Sequence, residues 1–194
     1  NKIDGFRDSV DGFRKEFLLN CPFTSENALS RSYDLSYETM DQYYLKTLEI
    51  YGLAANYNDL ELLFDMSMSN YRVLKDCQAD VALLKHLWDG VVLVRETFDS
   101  WDNILWTEID TDSLVMMVRD FTNFVKNMPK GVRAWKLYRW LMEEVKNMAT
   151  VLPLVNDLHG ETMRDRHWTM LMTTTKTTFD KGPDFCFKNL LDLN

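Results

Sequence analysis

Apolar residues recur along this chain at alternating intervals of three and four. Ile3, Phe6, Val10, Phe13 and Phe17 form the first series, a single stripe suited to a helix packed against other helices. Residues 20–32, NCPFTSENALSRS, break it with Pro22 and small polar residues and read as a loop. A second helix is predicted from about Ser36 to Leu53, carrying Met40, Tyr44, Leu48 and Tyr51. A short helix follows within 56–69, with Asn58 or Asp59 as its N-cap.

The longest series is Leu74, Cys77, Val81, Leu84, Trp88, Val91, Phe98 and Leu105, weakened near its end by Arg95 and Asp102. It predicts a helix over about 70–105, roughly 50 Å long, with Gly90 as a bend. The polar stretch 107–113 ends it and offers Thr111 or Asp112 as the next cap. Leu114, Met117, Phe121, Phe124 and Met128 predict another helix, stopped by Pro129 and Gly131. A further helix takes Val132, Trp135, Leu141, Val145 and Met148, and Pro153 interrupts or kinks it. Leu154, Val155 and Leu158 lead to a C-cap at His159-Gly160. The threonine-rich 173–185 favours extended chain, with Asp180-Lys181-Gly182-Pro183 as a turn, so a short strand or β-hairpin is expected near 173–183. The tail from Asp184 starts another helix. These patterns predict an all-α array of long antiparallel helices forming helical bundles.

Composition narrows the function. Seven glycines and four prolines in 194 residues leave few helix breakers. A net charge of −8 with no basic stripe disfavours nucleic acid and anionic membrane surfaces as partners. No apolar run approaches the roughly 18 residues of a spanning helix. Cys21, Cys77 and Cys186 are isolated and odd in number, which suits a reducing, cytoplasmic compartment. The chain opens inside a helical pattern, so it is expected to be part of something longer.

Chemical motifs are sparse. No glycine-rich phosphate loop, HExxH or CxxC occurs, so neither nucleotide cofactor nor metal is expected in this stretch. Asp110-Thr111-Asp112-Ser113 is a poor calcium loop: Val115 stands where a glycine is needed and Phe121 where a glutamate is needed. His86 and His159 read as surface or cap residues, without a nucleophile beside them. Glu143-Glu144 diverge on a helix and read as a solvated face. The aromatic and methionine residues at helical spacing read as core before they read as a ligand pocket.

The densest cluster is Arg164-Asp165-Arg166-His167-Trp168. On a helix Arg164 and Trp168 are neighbours one turn apart, and arginine can stack on an indole. Trp168 is expected to plug a core while Arg164, Arg166 and His167 tie helix ends by hydrogen bonds. The cluster holds no nucleophile with a base and gives no catalytic residue.

These residues also carry a resemblance. LPLVNDLHGETMRDRHWTMLM (152–172) is similar to a signature of dynein heavy chains of the axonemal, ciliary type, with Leu152-Pro153-Leu154, Asp157-Leu158 and Arg166-His167-Trp168 in matching order. Phe64-Asp65, Tyr71, Leu74, Trp88, Trp101, Trp106 and Trp135 resemble further family positions. The resemblance covers about residue 40 to the end, and more loosely the residues before. It implies helices at the tail–linker junction over 1–55 and the first helical bundles of the linker over 56–194. It implies a mechanical role: the linker transmits ATP-driven change in an AAA+ ring to the tail for microtubule-based movement. Its implied partners are that ring in the same heavy chain, neighbouring tail segments and other dynein subunits, in the cytoskeleton of a ciliary axoneme. ATP and magnesium belong to the ring, outside this stretch. The breaks at 20–32, 129–131 and 173–183 become candidate joints, the last the most mobile. The competing reading is a non-motor all-α scaffold that tethers protein partners. An all-α enzyme with an apolar pocket is the third.

Overall fold

In a computed structural model the structure describes residues 2–178 and 180–192. Among them it is helical, with α1 (Lys2–Asn20), α2 (Glu26–Leu29), α3 (Tyr33–Leu63), α4 (Arg72–Trp101), α5 (Thr111–Lys126), α6 (Lys136–His159), α7 (Asp165–Thr175) and α8 (Phe187–Leu191). Two short 3-10 turns lie at Trp106–Glu108 and Lys130–Val132. The contacts divide the chain into two compact units: residues 1–89 with 129–139, and residues 90–128 with 140–194. The fold is all-α, as the periodicity predicts.

In the first unit, α1 buries the five residues of its stripe: Ile3, Phe6, Val10, Phe13 and Phe17. Phe13 and Phe17 meet Tyr43 of α3, with ring centroids 6.1 and 5.8 Å away. The pairs Arg7–Glu61 and Glu16–Lys46 run in opposite senses along α1 and α3, so the two are antiparallel. Tyr37–Asp89 and Asp41–Lys85 show the same for α3 and α4. The loop after α1 is pinned. The Pro22 carbonyl accepts from the buried Trp88 indole at 3.0 Å, and the Phe23 carbonyl from Leu137 N–H at 3.0 Å.

Helix α3 is longer than its pattern suggested. It runs unbroken through Gly52, and Asn58 and Asp59 lie inside it rather than capping a new helix. The Gly52 α-carbon faces open space, and an exposed helical glycine costs only about 1 kcal/mol. Ala54 and Glu61, both buried beyond it, hold the helix on its course. Glu61 is fully buried and fully satisfied. Ser69 N–H donates to its Oε2 at 2.6 Å, the Ser69 hydroxyl donates to Oε1, and Arg7 Nη2 lies 3.2 Å from Oε1. These bonds hold its carboxyl below the usual carboxylate range, Ser69 first and Arg7 after it.

In the second unit the buried residues include Val91, Val94, Phe98 and Trp101 of α4, Leu114, Val118, Phe121 and Val125 of α5, and Leu141, Val145, Leu152 and Val155 of α6; the Phe98 and Phe121 rings meet at 6.0 Å, and Arg95 pairs with Glu144 at 3.1 Å. Leu114, Phe121 and Met128 of the predicted α5 stripe are buried, but Val118 and Val125 take the places of Met117, which is exposed, and Phe124, which is half-buried. Helix α4 continues through Gly90 and ends at Trp101, short of Leu105, where Asp102 breaks the apolar series. Gly90 is a close-approach residue: a Cβ there would lie 2.8 Å from Met128 Cε and 2.9 Å from Phe124 Cε1. Asp110, rather than Thr111 or Asp112, caps α5, its carboxylate accepting the Ser113 N–H at 3.3 Å and hydroxyl at 2.6 Å. Those bonds lower its pKa.

Helix α6 begins at Lys136, after a 3-10 turn that buries Val132, and passes through Pro153 to His159. Proline there removes one donor, while Leu152 and Val155, each about 1% exposed, anchor both sides. The strand or hairpin expected near 173–183 is replaced by helix at its start. Thr173, Thr174 and Thr175 end α7, each hydroxyl donating to the carbonyl four residues back. The hydroxyls are thereby satisfied within the helix. Phe179 lies outside the described residues, as do Leu193 and Asn194 of the helix expected at the tail.

Candidate functional site

The Arg164–Trp168 cluster opens α7, and its members do separate work. Arg164 is the N-cap residue with extended backbone. Its N–H donates to His167 Nδ1 at 3.0 Å, so the imidazole closes the first turn. This is half of a capping box, with histidine in place of the usual Glu or Gln. The other half is absent because a guanidinium has no acceptor. Arg166 Nε lies 3.1 Å from His167 Nε2. A neutral imidazole offers one acceptor nitrogen. With Nδ1 engaged by the cap, Nε2 carries the ring hydrogen and Arg166 packs beside it. His167 is half-buried, and Arg164 and Arg166 are exposed.

Trp168 is the buried member, 3% exposed. Its indole stands edge-on to Trp106 at 5.6 Å and to Phe185 at 6.3 Å between centroids. The cation above it is Lys181, with Nζ 4.4 Å from the ring centroid, rather than Arg164. Edge-on aromatic geometry and a cation over the ring face both suit the ring quadrupole.

Backbone bonds hold the partners in place. Trp106 N–H donates to the Phe185 carbonyl at 2.8 Å and Phe187 N–H to the Ile104 carbonyl at 2.9 Å, making an isolated antiparallel bridge at Leu105 and Cys186. His159 Nε2 donates to the Trp106 carbonyl at 2.9 Å, and its ring lies 5.1 Å from the Trp106 ring. The cluster thus joins four pieces of the second unit: the end of α6, the 102–106 segment, α7 and the 181–187 segment.

Sequence reasoning places Trp168 correctly. It reads His159 as a cap, where the structure makes it a donor to a carbonyl 53 residues away. It does not connect Trp106, Phe185 and Lys181 with the cluster. The signal is weak: Trp106 and Phe185 are aromatic residues flanking loops rather than lying on a helical stripe, and Lys181 is a turn residue.

The cluster's contacts are packing and capping contacts. Burial pushes the Cys21 thiol up to about 12 and raises Cys77 as well, so both stay protonated. Among the described residues no group of three or more His, Cys, Asp or Glu side chains could hold a metal ion. None of their helices is long and apolar enough to cross a membrane.

In this all-α fold the densest side-chain cluster caps α7 and fills an aromatic core. Its sequence matches the family model for dynein heavy chain, N-terminal region 2, over residues 74–194. It is 35% identical over 99% of its length to a flagellar outer-arm dynein beta chain of Chlamydomonas reinhardtii. It is 32% identical over 94% to a ciliary dynein beta chain of Tripneustes gratilla, and 31% identical over 100% to an axonemal dynein heavy chain of Mus musculus. The chain therefore belongs to the dynein heavy chain family, among its ciliary and axonemal members. It spans about 4% of the length of those relatives.

Proposed function

We propose that the chain is a mechanical element of a ciliary dynein motor: the tail–linker junction over residues 1–55 and the start of the linker over 56–194. It carries change generated by ATP in an AAA+ ring of the same heavy chain towards the tail. The observation that carries this reading is the match of residues 74–194 to an N-terminal dynein region on a helical chain whose sequence has no phosphate-binding loop. ATP and magnesium act in the ring, and tail segments and other dynein subunits are the further partners.

The local structure suits the role. Helices of 31 and 30 residues, α3 and α4, each reach roughly 45 Å. Each unit is closely packed, and packed interiors transmit strain instead of absorbing it. The Trp168 cluster ties loops to helices where a load would otherwise peel them apart.

The test uses the heavy chain with its ring. One fluorophore is placed on an exposed position of α7, such as Met170, and one on the ring. Nucleotide-dependent change in energy transfer is the expected result. An unchanged distance through the ATP cycle, with ATPase activity intact, overturns the mechanical reading in favour of a static scaffold.

A further inference from the structure

Apolar side chains crowd the surface of the first unit where α3 ends. Leu60, Leu62, Leu63, Phe64, Met66 and Met68 are all exposed, Leu62, Leu63 and Phe64 by 68–74%. Single exposed apolar residues are ordinary on a folded surface, but six within nine positions form a patch. The patch is also held in shape. Asp65 N–H donates to the Leu62 carbonyl at 3.2 Å and Met66 N–H to the Glu61 carbonyl at 2.7 Å, with Asp65 in the left-handed region at φ 54°. These bonds close α3 in a Schellman turn. Ser69 N–H donates to the Glu61 carboxylate at 2.6 Å, so the loop bearing Met66 and Met68 is tied to Glu61 at both ends. A surface already ordered costs less to cover than one that must first be fixed.

The start of α1 points to the occupant. Phe6 stacks on Tyr57 at 4.3 Å and meets Tyr71 edge-on at 5.3 Å. Arg7 reaches both sides of the turn, donating to Glu61 at 3.2 Å and to the Ser69 hydroxyl at 2.9 Å. The first turn of α1 therefore stands at the apolar end of α3, and whatever precedes α1 in a longer protein emerges there. The chain spans about 4% of the length of the dynein relatives it matches, so most of such a heavy chain lies outside it.

We propose that this patch seats the heavy-chain segment immediately N-terminal to Asn1, which lays an apolar helix face on Leu62, Leu63, Phe64, Met66 and Met68. The inference rests on the reading of the chain as part of a dynein heavy chain. A connection of about 2–8 residues and a helix of two to three turns are enough, so about twenty residues before Asn1 suffice. Tethering selects this occupant. The segment arrives at high local concentration, while a second copy of the chain brings the same net charge of −8 and is repelled. Once seated, the segment extends the packed interior of the first unit towards the tail, and a load crosses the join through buried side chains.

The experiment uses the full heavy chain with its ring, without nucleotide. Benzoylphenylalanine takes the place of Phe64, and after irradiation the cross-linked peptides are identified by mass spectrometry. The expected partner is a peptide of the same heavy chain from just before Asn1. In a second measurement, Leu63→Asp with Phe64→Asp, both at exposed positions, should speed hydrogen exchange several-fold in that preceding segment and leave α4 unchanged, which shows that the unit is still folded. Both readouts are taken at rest, so a static scaffold gives them too, and their failure is separate from an unchanged distance through the ATP cycle. Cross-links to another segment, to a second heavy chain or to an associated subunit, no cross-link at position 64, or unchanged exchange before Asn1 in the double variant each overturns the proposal.

Discussion

Lys181 holds its ammonium 4.4 Å from the centroid of the buried Trp168 ring, so the segment before α8 meets the first turn of α7 through this pair. The lysine is exposed, so its share is small, about 0.5–1 kcal/mol. The indole contributes far more because it fills a core among Trp106 and Phe185. Trp168→Ala should destabilise the second unit by about 3–5 kcal/mol in equilibrium urea denaturation. Lys181→Ala should cost under about 1 kcal/mol and alter the indole fluorescence. A loss below about 1 kcal/mol for Trp168→Ala would contradict its place in the core.

His167 acts on the first turn of its own helix. His167→Ala should cost about 1 kcal/mol, the usual loss for a missing cap. It should also speed hydrogen exchange at the Arg164 amide, which loses its acceptor. His167→Gln should restore both, since glutamine at this position supplies the same acceptor. If the glutamine variant exchanges as fast as the alanine one, the imidazole is not the cap.

The helical class was legible because Phe6, Val10, Phe13 and Phe17 each need one face covered, and a period of three and four states that directly. Trp168 was legible for a similar reason: a large indole at the start of a helical pattern has nowhere favourable to go but inward. Where a helix runs past its expected end, local propensity is overridden by burial or back-bonding. Gly52, Pro153 and the Thr173–Thr175 run are all breakers by propensity, and each sits inside a helix whose flanking residues are buried or back-bonded. The composition of the site was less visible. Trp106, His159, Lys181 and Phe185 come together through a two-bond bridge between segments about 80 residues apart, and periodicity carries no trace of such pairing.

Glu61 gives the first unit a dependence on acid. Its folded pKa is below the ordinary value of 4.5, because the Ser69 hydroxyl and N–H bond the charged form and Arg7 adds to them. The stabilisation is present above the unfolded pKa and is lost as pH falls through the folded one. The stability of the unit should therefore decline as pH drops below about 4.5, and Glu61→Gln should flatten part of that decline while lowering stability at pH 7. Denaturation midpoints of the two proteins across pH 3–7 read this out; parallel curves would show that the carboxylate carries no such linkage.

Two glycines should respond to alanine with opposite signs. At Gly52 an added Cβ meets nothing within 4 Å, so Gly52→Ala should stabilise α3 by about 1 kcal/mol through helix propensity alone. At Gly90 the same methyl would meet Met128 Cε at 2.8 Å and Phe124 Cε1 at 2.9 Å. The methionine end can swing aside, but the half-buried Phe124 ring is rigid and must move as a whole. Overpacking costs about 1–3 kcal/mol, more than the propensity gain, so Gly90→Ala should lower stability. The pair separates two meanings of glycine in a helix: tolerated exposure at Gly52 and required closeness at Gly90. Thermal melts of both variants decide it, and a stabilised Gly90→Ala would mean that α5 yields at Phe124 and that α4 and α5 are not held at a fixed distance.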